Sequence, residues 1–157
     1  MKRIVIEFPL YAAAILIAAA SLHSCEILSP DPDSDGSGSV PERDFSCNEA
    51  KENAGAKKVW VGGFISGGDL SASKISFTPP FHSDTNIALS DSLYAFVKDS
   101  CISVQLPKGA IRDSLNLVRN PEKLWRYVLI KGDIVESYFG ITGIKNASDY
   151  YFPDDGN

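Results

Sequence analysis

KKVWVGGFISGG at residues 57–68 and RYVLIKGDIVES at residues 126–137 carry the same pattern twice. Val59, Gly63 and Ile65 of the first align with Val128, Gly132 and Ile134 of the second. Side chains alternate across a strand, so residues 59, 61, 63 and 65 share one face. Val59, Val61 and Ile65 make that face apolar, which puts Gly63 where a core side chain belongs. Val128, Ile130 and Ile134 do the same around Gly132. A glycine there weakens a flat strand but suits one that coils or bulges as a barrel closes. The two segments therefore predict two strands of one small, strongly curved barrel.

The flanking sequence extends this reading. Ser46-Cys47-Asn48-Glu49, preceded by Phe45, is an S-x-x-E capping box that opens a short helix ending before Gly55. A first strand spans 57–66. A long loop, 67–85, holds a strand fragment near 74–77. A second strand covers 86–90, with 93–98 (LYAFVK) as an extension, and a third covers 101–106. Ala110, Ile111, Leu115 and Val118 form one apolar stripe, which predicts a helix over 110–119 stopped by Asn120-Pro121. Strands at 126–136 and 138–145 follow, and 150–152 offers a last pairing. The order β-β-β-α-β-β predicts a mainly β fold, a five-stranded OB-fold-like Greek-key barrel with a short N-terminal helix.

NIALSDS, VQLPKGAIRDSLNLVRNPEKL and VLIKGDIVESYFGITGIKNASDYYF resemble a family of secreted bacterial lipoproteins of the gut-bacterial type. Each member carries a single OB-fold domain of unknown function. The resemblance spans about residues 45–152, and its most specific segments are Leu106–Leu117 and Leu129–Gly143. It implies the barrel fold. It implies no reaction and no ligand.

Met1-Lys2-Arg3 and the apolar run 10–20 have the proportions of a secretory leader, too short for a comfortable membrane span. Leu22-His23-Ser24-Cys25 resembles a lipobox, so residues 1–24 read as a signal peptide and Cys25 as the lipidated residue. Several acyl chains on that cysteine would give stable anchoring, which one chain does not. Residues 26–44 are rich in Pro, Gly and Ser and carry six acids against one base. Such a stretch cannot bury enough apolar surface to fold, so 25–44 is expected to be a disordered acidic tether. The domain follows at 45–152, with a flexible tail at 153–157. An outer-membrane lipoprotein, facing either the periplasm or the surface, is the expected location.

The whole chain has a formal net charge of −5, but residues 57–146 hold 11 bases and 8 acids. The acidity sits in the ends of the chain, and no Lys/Arg run marks a nucleic-acid track. Past the leader, His82 is the sole histidine, in a proline-rich loop with no nucleophile context around it. With one His and two Cys far apart, neither a metal site nor a cofactor is expected. No catalytic residue is assigned, and the chain is read as a non-enzyme. Cys47 and Cys101 can form a disulfide in an oxidising compartment or pack as two separate thiols. OB barrels bind ligands across the second and third strands and the adjoining loops. The ligand candidates are therefore Phe81, His82, Tyr94, Phe96, Tyr138 and Phe139. Glycan, peptide or envelope-protein partners rank ahead of nucleic acid. A structural accessory subunit of an envelope complex without a small ligand is one alternative function, and an enzyme of unknown type is the other.

Overall fold

The computed structural model describes residues 41–153. The leader, Cys25, the first part of the tether and residues 154–157 lie outside the described residues.

The two glycine-bearing segments form β2 (Val59–Gly68) and β5 (Tyr127–Tyr138), and they pair with each other. The pairing is antiparallel and reciprocal. Val59 lies opposite Gly132, Gly63 opposite Val128, and Val61 opposite Ile130 between them. Each glycine thus faces the first valine of the other copy. This ladder closes the barrel: β2 also pairs with β3 (Asn86–Ser90), β3 with β4 (Cys101–Gln105), β4 in parallel with β6 (Ile141–Tyr151), and β6 with β5. The result is a closed five-stranded barrel with OB-like order.

Both glycines are filled by neighbours. A Cβ on Gly63 would stand 2.5 Å from Cys47 Sγ, and one on Gly132 would stand 2.5 Å from Ile144 Cγ2. Gly132 also lies where the β5–β6 register shifts, between Lys131 and Asp133. Across from it, Asn146 takes a positive φ of 52°. Asp133 steadies this corner by accepting from Asn146 Nδ2 (3.0 Å) and from the Lys58 backbone N–H (3.1 Å). In β2 the bulge falls later, between Ile65 and Gly67.

A short strand β1 (Phe45–Ser46) adds in parallel to β2. The capping box opens α1 (Cys47–Glu52): Glu49 N–H donates to Ser46 Oγ, and Ser46 N–H donates to the Glu49 carboxylate. Asp91 adds a long-range cap, accepting from the N–H groups of Cys47 (2.7 Å) and Asn48 (2.8 Å). α1 thereby plugs one part of the barrel, with Cys47 and Ala50 fully buried.

Three element boundaries depart from the sequence expectation. Residues 93–97 form no strand, and loop 91–100 leaves the sheet at Ser90, with Tyr94 at φ 60°. The second helix, α2 (Ala110–Leu115), stops four residues early. Asn116 ends it by donating to the Arg112 carbonyl and accepting from the Arg119 N–H, which leaves Val118 exposed and buries Leu117 instead. The last two pairings fuse into one long β6, so that Tyr150 and Tyr151 face Ile130 and Leu129.

The main core lies inside the barrel around Val61, Ile65, Ile87, Leu89, Ile130 and Ile134. A second cluster, Leu70, Ile75, Ala88, Ala95 and Cys101, sits on the outer face of β3 and β4. β3 is buried along all five residues because it is covered on both sides. Cys47 and Cys101 belong to different clusters and are free thiols, so the bridge weighed from the sequence is not present. Among the described residues no helix is long and apolar enough to cross a membrane.

Candidate functional site: an aromatic row beside the barrel face

The second cluster decides where a ligand can reach. On an open OB barrel the outer face of β3 and β4 would be free. Here loop 69–85 folds back over it, with Gly68 and Ser76 exchanging two 2.9 Å backbone hydrogen bonds. Leu70 and Ile75 from that loop, Ala95 from loop 91–100, and the partly buried Phe77, Phe139 and Ile141 fill the face.

Aromatic surface is displaced to the rim. Tyr94, Trp125, Phe96 and Phe77 form a continuous row with centroid separations of 5.2, 5.4 and 5.9 Å. Successive rings meet edge to face at 61°, 70° and 74°, the arrangement the ring quadrupole favours. Tyr94 is 59% exposed and Phe96 58% exposed. Leu93 and Val97 beside them are exposed as well, so loop 91–100 carries most of the exposed bulky apolar side chains among the described residues.

Two polar anchors hold the loops. Lys98 Nζ donates to the carbonyls of Ser71 (3.2 Å), Ala72 (2.5 Å) and Phe139 (2.8 Å), tying together three connections. Asp69, itself at φ 51°, accepts from the N–H groups of His82 and Ser83 and lies 3.2 Å from His82 Nδ1. Burial alone would raise the Asp69 pKa, but these N–H donors and the His82 ring outweigh it and hold the carboxyl below its ordinary value.

A third feature is a cleft of about 310 Å³ lined by Lys51, Asp99, Cys101 and Glu136 among others. Burial raises the Cys101 thiol pKa, so the sulfur there is protonated at neutral pH. No group of three or more His, Cys, Asp or Glu suited to a metal occurs among the described residues.

A family model described as a domain of unknown function, DUF6359, matches residues 45–153. The chain belongs to the DUF6359 family. This DUF6359 domain is also 30% identical over 115 residues to Endonuclease YhcR of Bacillus subtilis (strain 168). That alignment covers 73% of the chain and 9% of the nuclease, so the chain spans less than a tenth of that relative's length. No solved structure matches it.

The DUF6359 structure separates the six candidate ligand residues. Tyr94 and Phe96 are brought together, on either side of Trp125. Phe81 is not a surface group: it is 6% exposed and packs in the main core against Gly68. His82 is exposed, with its ring Nδ1 3.2 Å from the Asp69 carboxylate. Tyr138 and Phe139 are half-buried and lie together with ring centroids 4.4 Å apart and tilted, Lys145 over Tyr138 and Phe139 packed against the second cluster. Trp125 escaped the sequence reading. Its only local signal is an indole in a turn just ahead of a strand, and its φ of 72° is invisible without coordinates.

Acid should loosen this DUF6359 loop. Asp69 has a depressed folded pKa, so its contribution is fully present above the unfolded carboxylate value, about 3.8, and is lost as pH falls through the lower folded value. The His82 and Ser83 amides are expected to lose exchange protection in that window. Asp69→Asn should remove this acid step, as amide exchange followed by NMR would report.

Proposed function

We propose that the chain is a lipid-anchored, non-catalytic binding module. Its leader would be cut before Cys25, the acidic segment 26–44 would act as a spacer, and the OB-like barrel would present a ligand surface from the outer membrane, towards the periplasm or the cell surface. The single observation carrying the binding role is the pair of exposed rings on loop 91–100, Tyr94 and Phe96, set on either side of the half-buried Trp125. Large solvent-facing aromatic surface in a small domain marks an interaction site. The anchoring part rests on the basic start, the apolar run and Leu22-His23-Ser24-Cys25.

The endonuclease relative supports a second reading, in which the module holds single-stranded nucleic acid for a partner nuclease. A segment matching 9% of a long enzyme is more naturally an accessory part than its catalytic centre.

Anchoring is tested by expressing the full chain and its Cys25→Ala form in a Gram-negative host with radiolabelled palmitate. The expected result is a labelled wild type in the outer-membrane fraction and an unlabelled variant that leaves it. Equal labelling of both forms overturns the anchor. His82→Ala is expected to leave ligand capture unchanged, and turnover of any polymer that vanishes with this variant would overturn the non-catalytic reading.

A further inference from the structure

We infer that the row Tyr94–Trp125–Phe96–Phe77 is a platform for a neutral oligosaccharide, and that its backbone is held in a strained conformation for that purpose. The inference rests on the binding-module reading above and supplies its ligand class.

Strain is the first observation. Tyr94 has φ 60° and Trp125 has φ 72°. Bulky residues seldom adopt left-handed backbone, which costs about 1–2 kcal/mol relative to ordinary helix geometry. Glycine would occupy either position without that cost. Yet two aromatic residues, 31 positions apart, both take it and meet edge to face at 5.2 Å. The Trp125 conformation is enforced from outside, since its N–H donates to the Ile65 carbonyl at 2.7 Å. Lys58 and Phe139 also take positive φ, so left-handed backbone by itself marks no site; what sets Tyr94 apart is that the strained residue carries an exposed ring. Strain kept at an exposed aromatic contact points to use of the rings.

Charge is the second observation, and it selects the ligand. Platforms for single-stranded nucleic acid combine stacking rings with a basic groove that follows the phosphates. Here the Asp91 carboxylate is committed to the α1 N–H groups and the ammonium of Lys98 to three carbonyls, which leaves Asp99 as the exposed charge of the loop. The cations next to Trp125 in sequence, Lys123 and Arg126, lie over the Phe152 ring at 5.3 and 4.9 Å. A phosphodiester would find no cationic track along the row. A neutral sugar chain needs none, and its C–H faces can stack on the individually exposed Tyr94 and Phe96 rings.

The test uses the full-length chain in detergent micelles, run in affinity electrophoresis through gels holding α-glucan, β-glucan, mannan, xylan or galactan. Oligothymidylate and phosphatidylethanolamine vesicles are run as competing probes. Retardation by at least one neutral polysaccharide is expected, weakened about tenfold or more by Trp125→Ala. Tyr94→Gly is expected to weaken binding similarly while leaving the thermal midpoint unchanged or higher, because relief of strain offsets the lost ring contact. A lower midpoint for Tyr94→Gly with intact binding overturns the inference, as does polysaccharide retention that survives Trp125→Ala. Absence of retardation on every polysaccharide also overturns it. If oligothymidylate or vesicles bind instead and Trp125→Ala abolishes that, the ligand class falls while the binding-module reading stands.

Discussion

Gly63→Ala is expected to lower stability by about 2 kcal/mol, and adding Cys47→Ala is expected to recover most of the loss. The obstacle at Gly63 is chiefly one side-chain atom. The new Cβ would lie 2.5 Å from Cys47 Sγ, whereas Ser90 O and Leu89 Cβ stand at 3.1 and 3.2 Å. Removing the sulfur clears the closest contact, and the new methyl fills part of the space it leaves. Gly132→Ala should behave differently. Its Cβ would meet Ile144 Cγ2 at 2.5 Å but also the Lys145 carbonyl oxygen at 2.9 Å. Backbone cannot be trimmed, so truncating Ile144 should not rescue, and the loss is expected to reach about 3 kcal/mol. Urea unfolding followed by tryptophan fluorescence measures both cycles. Additive effects at positions 63 and 47 would show that the Cys47 sulfur is not the obstacle at Gly63, and rescue of Gly132→Ala by Ile144→Ala would show that the Lys145 carbonyl is not the limiting contact at Gly132.

The same glycines explain how much of the fold could be read in advance. A missing side chain on an apolar face is a local signal with a long-range cause, and here the cause is the reciprocal β2–β5 ladder. The capping box was legible for a similar reason, since Ser46 and Glu49 satisfy each other within one turn. Loop 91–100 was not. Tyr94, Phe96 and Lys98 alternate as a strand would, but Ala95 is drawn into the second cluster and Lys98 is captured by carbonyls from two other connections. Nothing local announces those partners. α2 overshot in the reading because Asn116, polar and buried, ends the helix with its own side chain.

The candidate site was half legible. Tyr94 and Phe96 stand out as aromatic residues in a loop, and composition alone suffices to notice them. Trp125 joins them only because barrel closure carries the turn before β5 alongside Ile65. Phe81 looked equivalent in sequence, yet loop 69–85 folds back and turns it into the core. Whether a loop aromatic is exposed depends on what covers the β3–β4 face, which is a tertiary fact.

Lys98 ties these loops together, and Lys98→Met is expected to cost about 2 kcal/mol while acting mainly on one side of the molecule. Hydrogen bonds from a charged donor are worth about 1.5–3 kcal/mol when well shielded, and less where water competes. Lys98 is half-buried and satisfies carbonyls of Ser71, Ala72 and Phe139 together, so its loss strands acceptors in loop 69–85 and in the β5–β6 turn at once. Methionine keeps the apolar stem and removes only the donors. Arginine keeps the charge, but its planar fork cannot converge on three carbonyls from separate segments, so Lys98→Arg should recover the stability only in part. Amide exchange should quicken at residues 71–77 and 139–141, over the second cluster, while the β2–β5 ladder keeps its protection. The aromatic row should also lose definition, because Phe77 belongs to one tethered loop and Tyr94 and Phe96 to the other. A uniform loss of protection across the barrel would mean that Lys98 supports the whole fold, and no change at residues 71–77 would mean that the loops hold without it.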